Sequence, residues 1–191
     1  DFKRQNYLPW DSDAFVFVKR QFDVDDIDNL TLEMTTGPRW QPLPVQWKGL
    51  SVRPHIVANY VMRGDDRLSN VYGAGVDVEY ANERKYRLSG RFQHRQRDFN
   101  ATAERPFLNE REGHENYLAV DGRYLLRRNM TVYARLDVLD RSANADFNDS
   151  LELGVIGRID YAYDSPSALL PGRWRAYVTG GYRSVDYDSP D

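Results

Sequence analysis

Residues 70–99 read NVYGAGVDVEYANERKYRLSGRFQHRQRDF. Tyr72, Ala74, Val76, Val78 and Tyr80, and then Tyr86, Leu88, Gly90 and Phe92, are apolar or small. The positions between them are Gly73, Gly75, Asp77 and Glu79, then Lys85, Arg87, Ser89, Arg91, Gln93 and Arg95. A repeat of two is the signature of a β-strand whose faces differ, because successive side chains point to opposite sides. Residues 81–84, Ala-Asn-Glu-Arg, form a short polar turn between the two runs. The stretch predicts a long hairpin, apolar on one side and ionic on the other.

The same alternation recurs along the chain. Apolar positions recur at Ala14, Val16, Val18; at Leu30, Leu32, Met34; and at Leu50, Val52, Ile56, Ala58, Tyr60, Met62. They return at Leu118, Val120, Gly122, Tyr124; at Met130, Val132, Ala134, Leu136, Val138; at Leu151, Leu153, Val155, Gly157, Ile159, Tyr161; and at Trp174, Ala176, Val178, Gly180, Tyr182. About nine strands are predicted, most longer than the usual length of about five or six residues. No segment carries a helical period. Residues 23–29, 64–69, 100–113 and 142–149 read as loops rich in Asp, Asn and Arg. The alternate connections are tight turns at 81–84 and 127–129, or Pro- and Gly-bearing crossings at 37–49 and 164–172. In an up-and-down meander every second connection lies at the same end, so one end is predicted loopy and charged and the other mostly tight.

Composition removes several classes. With 191 residues there is room for one domain with a substantial interior. A net charge of −3 gives no reason to expect a nucleic-acid partner. The mean hydropathy of −0.71 excludes a helical membrane protein. Without cysteine there is neither a disulfide scaffold nor a thiolate metal site.

An ordinary soluble antiparallel sheet also alternates, with its apolar face inward. An outer-membrane barrel inverts that order: the apolar band meets lipid and the polar face lines the lumen. Three features favour the inverted case. The strands reach the roughly 9–11 residues that a tilted membrane strand needs. Glycine and arginine recur together on the polar face. Aromatic residues (Tyr80, Tyr86, Tyr124, Tyr161, Trp174 and Tyr182) fall near strand ends on the apolar face, where interfacial girdles lie. The predicted fold is therefore all-β: an antiparallel up-and-down meander forming a transmembrane outer-membrane β-barrel, or part of one, as a single domain over residues 1–191. The soluble alternative is a β-barrel or sandwich that binds a partner. An odd strand count, with a final strand running into RSVDYDSPD, predicts a barrel incomplete on its C-terminal side.

The segment GPRWQPLPVQWKGLSVRPHIVANYVMRGDDRLSNVYGAGVDVEYA (37–81) and the segment YAYDSPSALLPGRWRAYVTGGYRSVDYDSPD (161–191) resemble the C-terminal barrels of tetratricopeptide-linked outer-membrane proteins, the group of the surface lipoprotein assembly modifiers. In those barrels a GPR turn precedes an LRPY-like strand start and a YGAGLxxxY-like strand. The counterparts are Gly37-Pro38-Arg39, Leu50 to His55, and Tyr72 to Tyr80. The helical-repeat region that precedes such barrels has no counterpart here. The resemblance implies porin-like transport, secretion or assembly of a surface molecule, lipoprotein or polysaccharide, at the outer membrane of a Gram-negative-type bacterium. It also implies further strands, or a periplasmic helical-repeat domain, in a longer chain.

The polar face carries the candidate functional residues. Arg87, Arg91, Arg95, Asp121, Arg123, Arg135, Asp137 and Arg158 are predicted to line the lumen, in a basic ladder that extends to Lys85, Arg97, Arg175 and Arg183. The ladder has two readings: guidance of an anionic or polar substrate, or bracing by cross-strand ion pairs with Asp77, Glu79, Asp121, Asp137, Glu152 and Asp160. Acids on matching faces favour bracing. His55, His94 and His114 are not spaced as a metal pair within a strand. No GxSxG or HExxH is present, so neither an enzyme nor a cofactor is predicted. The Arg-Gly-Asp tripeptide at 63–65 is placed in an exposed loop and read as a chance occurrence.

Overall fold

The computed structural model describes residues 9–19, 29–41, 49–63, 66–82, 85–100, 106–145, 148–164 and 172–187. The strands are β1 (Trp10–Lys19), β2 (Asn29–Pro38), β3 (Leu50–Arg63), β4 (Asp66–Asn82), β5 (Tyr86–Phe99), β6 (Gly113–Arg127), β7 (Met130–Ala143), β8 (Ser150–Asp164) and β9 (Arg173–Tyr187). They form one nine-stranded sheet in sequence order, every neighbouring pair antiparallel. Among the described residues β1 and β9 do not pair with each other, so the meander is open at both edges. A 3₁₀ turn, Pro106–Arg111, breaks the segment expected to be plain loop.

The hairpin of residues 70–99 forms as its alternation requires: Val76 lies opposite Phe92, and Asp77 opposite Arg91. Some boundaries differ from expectation. The loop expected at 64–69 shrinks, because β4 already begins at Asp66. Gly37 and Pro38 belong to β2 rather than to a turn, and Trp40 bridges Val52 beyond them. Pro54 falls where the β2–β3 ladder, last paired at Thr36 and Ile56, gives way to that bridge. A residue without an N–H is tolerated in such a gap. Lys85 precedes β5 instead of standing in its ladder, with Nζ 6.0 Å from the Tyr124 ring centre. The tips at 23–28, 42–48 and 165–171, and Gly64-Asp65 of the tripeptide, lie outside the described residues.

Burial is inverted relative to a soluble sheet. Among the described residues the buried side chains are mostly polar: Thr35, Ser51, Arg53, His55, Ser69, Gln93, Glu115, Asp137 and Ser150, against Val57, Leu108 and Ala119 among apolar residues. The opposite face exposes Ile56, Val78, Leu88, Phe92, Leu118, Val120, Leu136, Val155 and Ile159. Val76 and Val132 on that face are half-buried. The apolar band on β6 runs from Leu118 to Leu126 and ends at Asn116, which is hydrogen-bonded to His94 and Asp140 in a polar row. Nine residues at about 3.4 Å each, tilted roughly 40°, give a band of roughly 20–25 Å. Tyr80 and Tyr86, and Tyr161, Tyr163 and Trp174, cluster at the tight-turn end of that face with ring centres 5.9–6.3 Å apart. Tyr182, expected in the same girdle, instead stands opposite Val155 in mid-band.

Candidate functional site: the ionic concave face

The sheet curls around its polar face. Residues of β1 (Asp11, Asp13) and of β7 (Tyr133, Arg135) line one concavity of about 740 Å³. Because paired residues share a face, the register aligns their side chains in rows across strands. One row reads Arg53, Asp77, Arg91, Ala119, Asp137, Gly154 and Arg183 from β3 to β9. Charges of opposite sign are thus set next to each other or across a small residue.

Asp77 is the hub of the first network. Arg53 donates to it from Nη2 at 2.8 Å and reaches Asp13 of β1 with Nη1 at 2.7 Å. Arg91 donates to its other oxygen from Nε at 2.7 Å. His55 is fully buried beside it, Nδ1 at 3.7 Å. The Gln93 amide nitrogen donates to His55 Nε2 at 2.9 Å, which leaves the ring proton on Nδ1, 3.3 Å from the Arg53 carbonyl oxygen. Gly75 makes the space for this: an added Cβ would sit 2.9 Å from His55 Nε2 and 2.7 Å from Gln93 Cγ.

Glu115 is the second hub. Arg95, Arg97 and Arg141 approach it at 3.0, 2.9 and 3.2 Å. Arg141 continues to Glu152, and Arg183 lies 3.6 Å from both Glu152 and Asp137. Arg135 lies 3.5 Å from Asp137 and donates to the Tyr117 hydroxyl. Nearer the tight-turn end, Arg39 joins Asp11 at 2.5 Å, and Glu79 receives Arg87. Arg158 pairs with Asp160 at 2.6 Å and stacks 4.2 Å from the Tyr177 ring centre.

All eight residues predicted to line a lumen therefore share the polar face. Arg87, Arg91, Arg95, Arg135, Asp137 and Arg158 are ion-paired; Asp121 accepts a hydrogen bond from Ser89 at 2.7 Å; Arg123 has no ion pair among the described residues. Arg39, Arg53, Glu115, Arg141 and His55 were missed as network members. Their alternation was visible, but register across strands was not. No group of His, Cys, Asp and Glu among the described residues is disposed to hold a metal ion.

No protein-family model, curated protein or solved structure matches the chain.

Proposed function

We propose that this sheet is wall of an outer-membrane β-barrel, and that its polar lumen carries or engages a surface-bound cargo, lipoprotein or polysaccharide, without catalysis. The observation that supports this reading is the inverted burial: arginines and acids interlock inside while Val78, Leu88, Phe92 and Leu136 stand exposed outside. Water would penalise so much apolar surface on one sheet face, whereas lipid makes it neutral or favourable. The aromatic cluster at the tight-turn end supports the same placement. The motif resemblance to tetratricopeptide-linked barrels directs the reading toward export or assembly at the cell surface.

In a bilayer the free edges of β1 and β9 require strand partners, since each unpaired backbone group in hydrocarbon costs several kcal/mol. We assign those partners to further strands of a longer chain. The test is purification with and without detergent. A membrane wall stays folded only in detergent or liposomes and migrates differently on a gel before and after boiling. A folded monomer in plain buffer would overturn the reading in favour of a soluble binding module.

A further inference from the structure

We propose that the tight-turn end of the concave face holds a binding site for a multiply charged oxyanion of the phosphate type, formed by Arg123, Arg128, Arg173 and Arg175. The four guanidinium-bearing residues surround a concavity of about 490 Å³, with Asn129 and Thr131 as neutral donors in its lining. They come from β6, from the β6–β7 turn and from β9, so the fold and not a run of sequence gathers them.

What distinguishes this cluster is that four arginines share its lining with a single carboxylate, Asp160. In the Asp77 and Glu115 networks of the same face each arginine lies within 3.6 Å of a carboxylate oxygen. Arg123, Arg128, Arg173 and Arg175 have none at ion-pair distance among the described residues. Arg123 stands across from Arg87, a like charge. The acid in the lining, Asp160, pairs with Arg158 at 2.6 Å and acts on Arg175 and Arg123 only through longer-range charge attraction, outside ion-pair distance. Asp164 lies across from Arg173 in register without forming an ion pair with it. The connection from β8 to β9 contains SPSALLP at 165–171, with no acidic residue to supply.

Four cations around a cavity whose one carboxylate is shared with Arg158 leave an excess of positive charge that a bound anion would offset. Guanidinium forks match the oxygens of phosphate in bidentate geometry, and such charge-assisted bonds are the stronger class. The chain as a whole is negative, at −3, so attraction to an anion here would be local rather than a consequence of net charge. The inference rests on the charge distribution of the concave face and holds whether that face lines a membrane lumen or a soluble trough.

The test uses the whole chain, folded in zwitterionic detergent at low salt, titrated with inorganic pyrophosphate by calorimetry. The Arg123→Gln/Arg175→Gln double variant should weaken binding about tenfold or more. Arg128→Gln, in a turn outside the strands, should weaken it as well without disturbing the wall. Arg63→Gln removes the same charge at the other end of the sheet and should leave binding unchanged. Competition by short-chain phosphatidylglycerol would support the site with a lipid headgroup as its source; failure to compete would support it with a soluble phosphate-bearing ligand. Unchanged affinity in both the double variant and Arg128→Gln, or an equal loss in Arg63→Gln, would overturn it.

Discussion

Arg53 of β3 and Asp77 of β4 face each other in register and pair at 2.8 Å, with the Arg53 side chain only 5% exposed. Through Asp13 the same guanidinium ties β3 to β1, across the intervening β2. Removing Arg53 leaves Asp77 with Arg91 as its arginine partner and takes from the largely exposed Asp13 its ion-pair partner among the described residues. Arg53→Met should cost about 1–3 kcal/mol in urea unfolding. A double-mutant cycle with Asp77→Asn should show strong coupling; additive losses would mean the two do not interact energetically.

Glu115→Gln should be among the most disruptive single changes on the concave face. It leaves Arg95 and Arg97, about 3 Å from its oxygens, without an ion-pair partner among the described residues, and Arg141 with Glu152 alone. The loss should be largest at low ionic strength and should shrink as salt screens the repulsion. A loss independent of salt would mean that packing, not charge, is what Glu115 supplies.

Leu136 lies in mid-band on the apolar face and is 47% exposed. If that face meets lipid, Leu136→Arg should cost about 2–4 kcal/mol, and Val132→Arg, nearer the tyrosine girdle, less. Leu139→Arg, on the concave face opposite Glu152, should cost under about 1 kcal/mol. Refolding into liposomes of defined thickness measures all three. Equal values at Leu136 and Leu139 would remove the distinction between a lipid face and a lumen face.

Two glycines three residues apart on β8 should behave oppositely. A Cβ at Gly154 would lie 2.6 Å from Asp137 Oδ2, whereas one at Gly157 meets nothing within 4 Å. Gly154→Val should therefore destabilise by about 1–3 kcal/mol. Gly157→Val should be neutral or stabilising by up to about 1 kcal/mol, since a β-branched residue suits a strand better than glycine. Thermal melts of the two variants in detergent would separate them.

Period-two alternation is a local property of the pleated backbone, and it made the strands and their two faces legible in the sequence. Arg87, Arg91 and Arg135 could be placed on the ionic face because each sits between apolar neighbours in its own strand. The same period marked Leu88, Phe92 and Leu136 as the opposite surface. Turn chemistry was less transferable: Gly37-Pro38 and residues 66–69 looked like connection and are strand, because pairing with neighbours extended them. Only the tertiary structure decided which carboxylate serves which arginine. That depends on register, which is set by hairpin lengths and by irregularities such as the shift between Leu125 and Arg127, and no one strand contains it. Asp77 and Glu115 became hubs because register set Arg53 and Arg91, and Arg95 and Arg141, directly across from them on the neighbouring strands, whereas the gathering of Arg123, Arg173 and Arg175 around one cavity depends on how the sheet curls. Alternation along a strand is written in adjacent residues; the sharing of charge between strands arises only once the sheet has paired and curved.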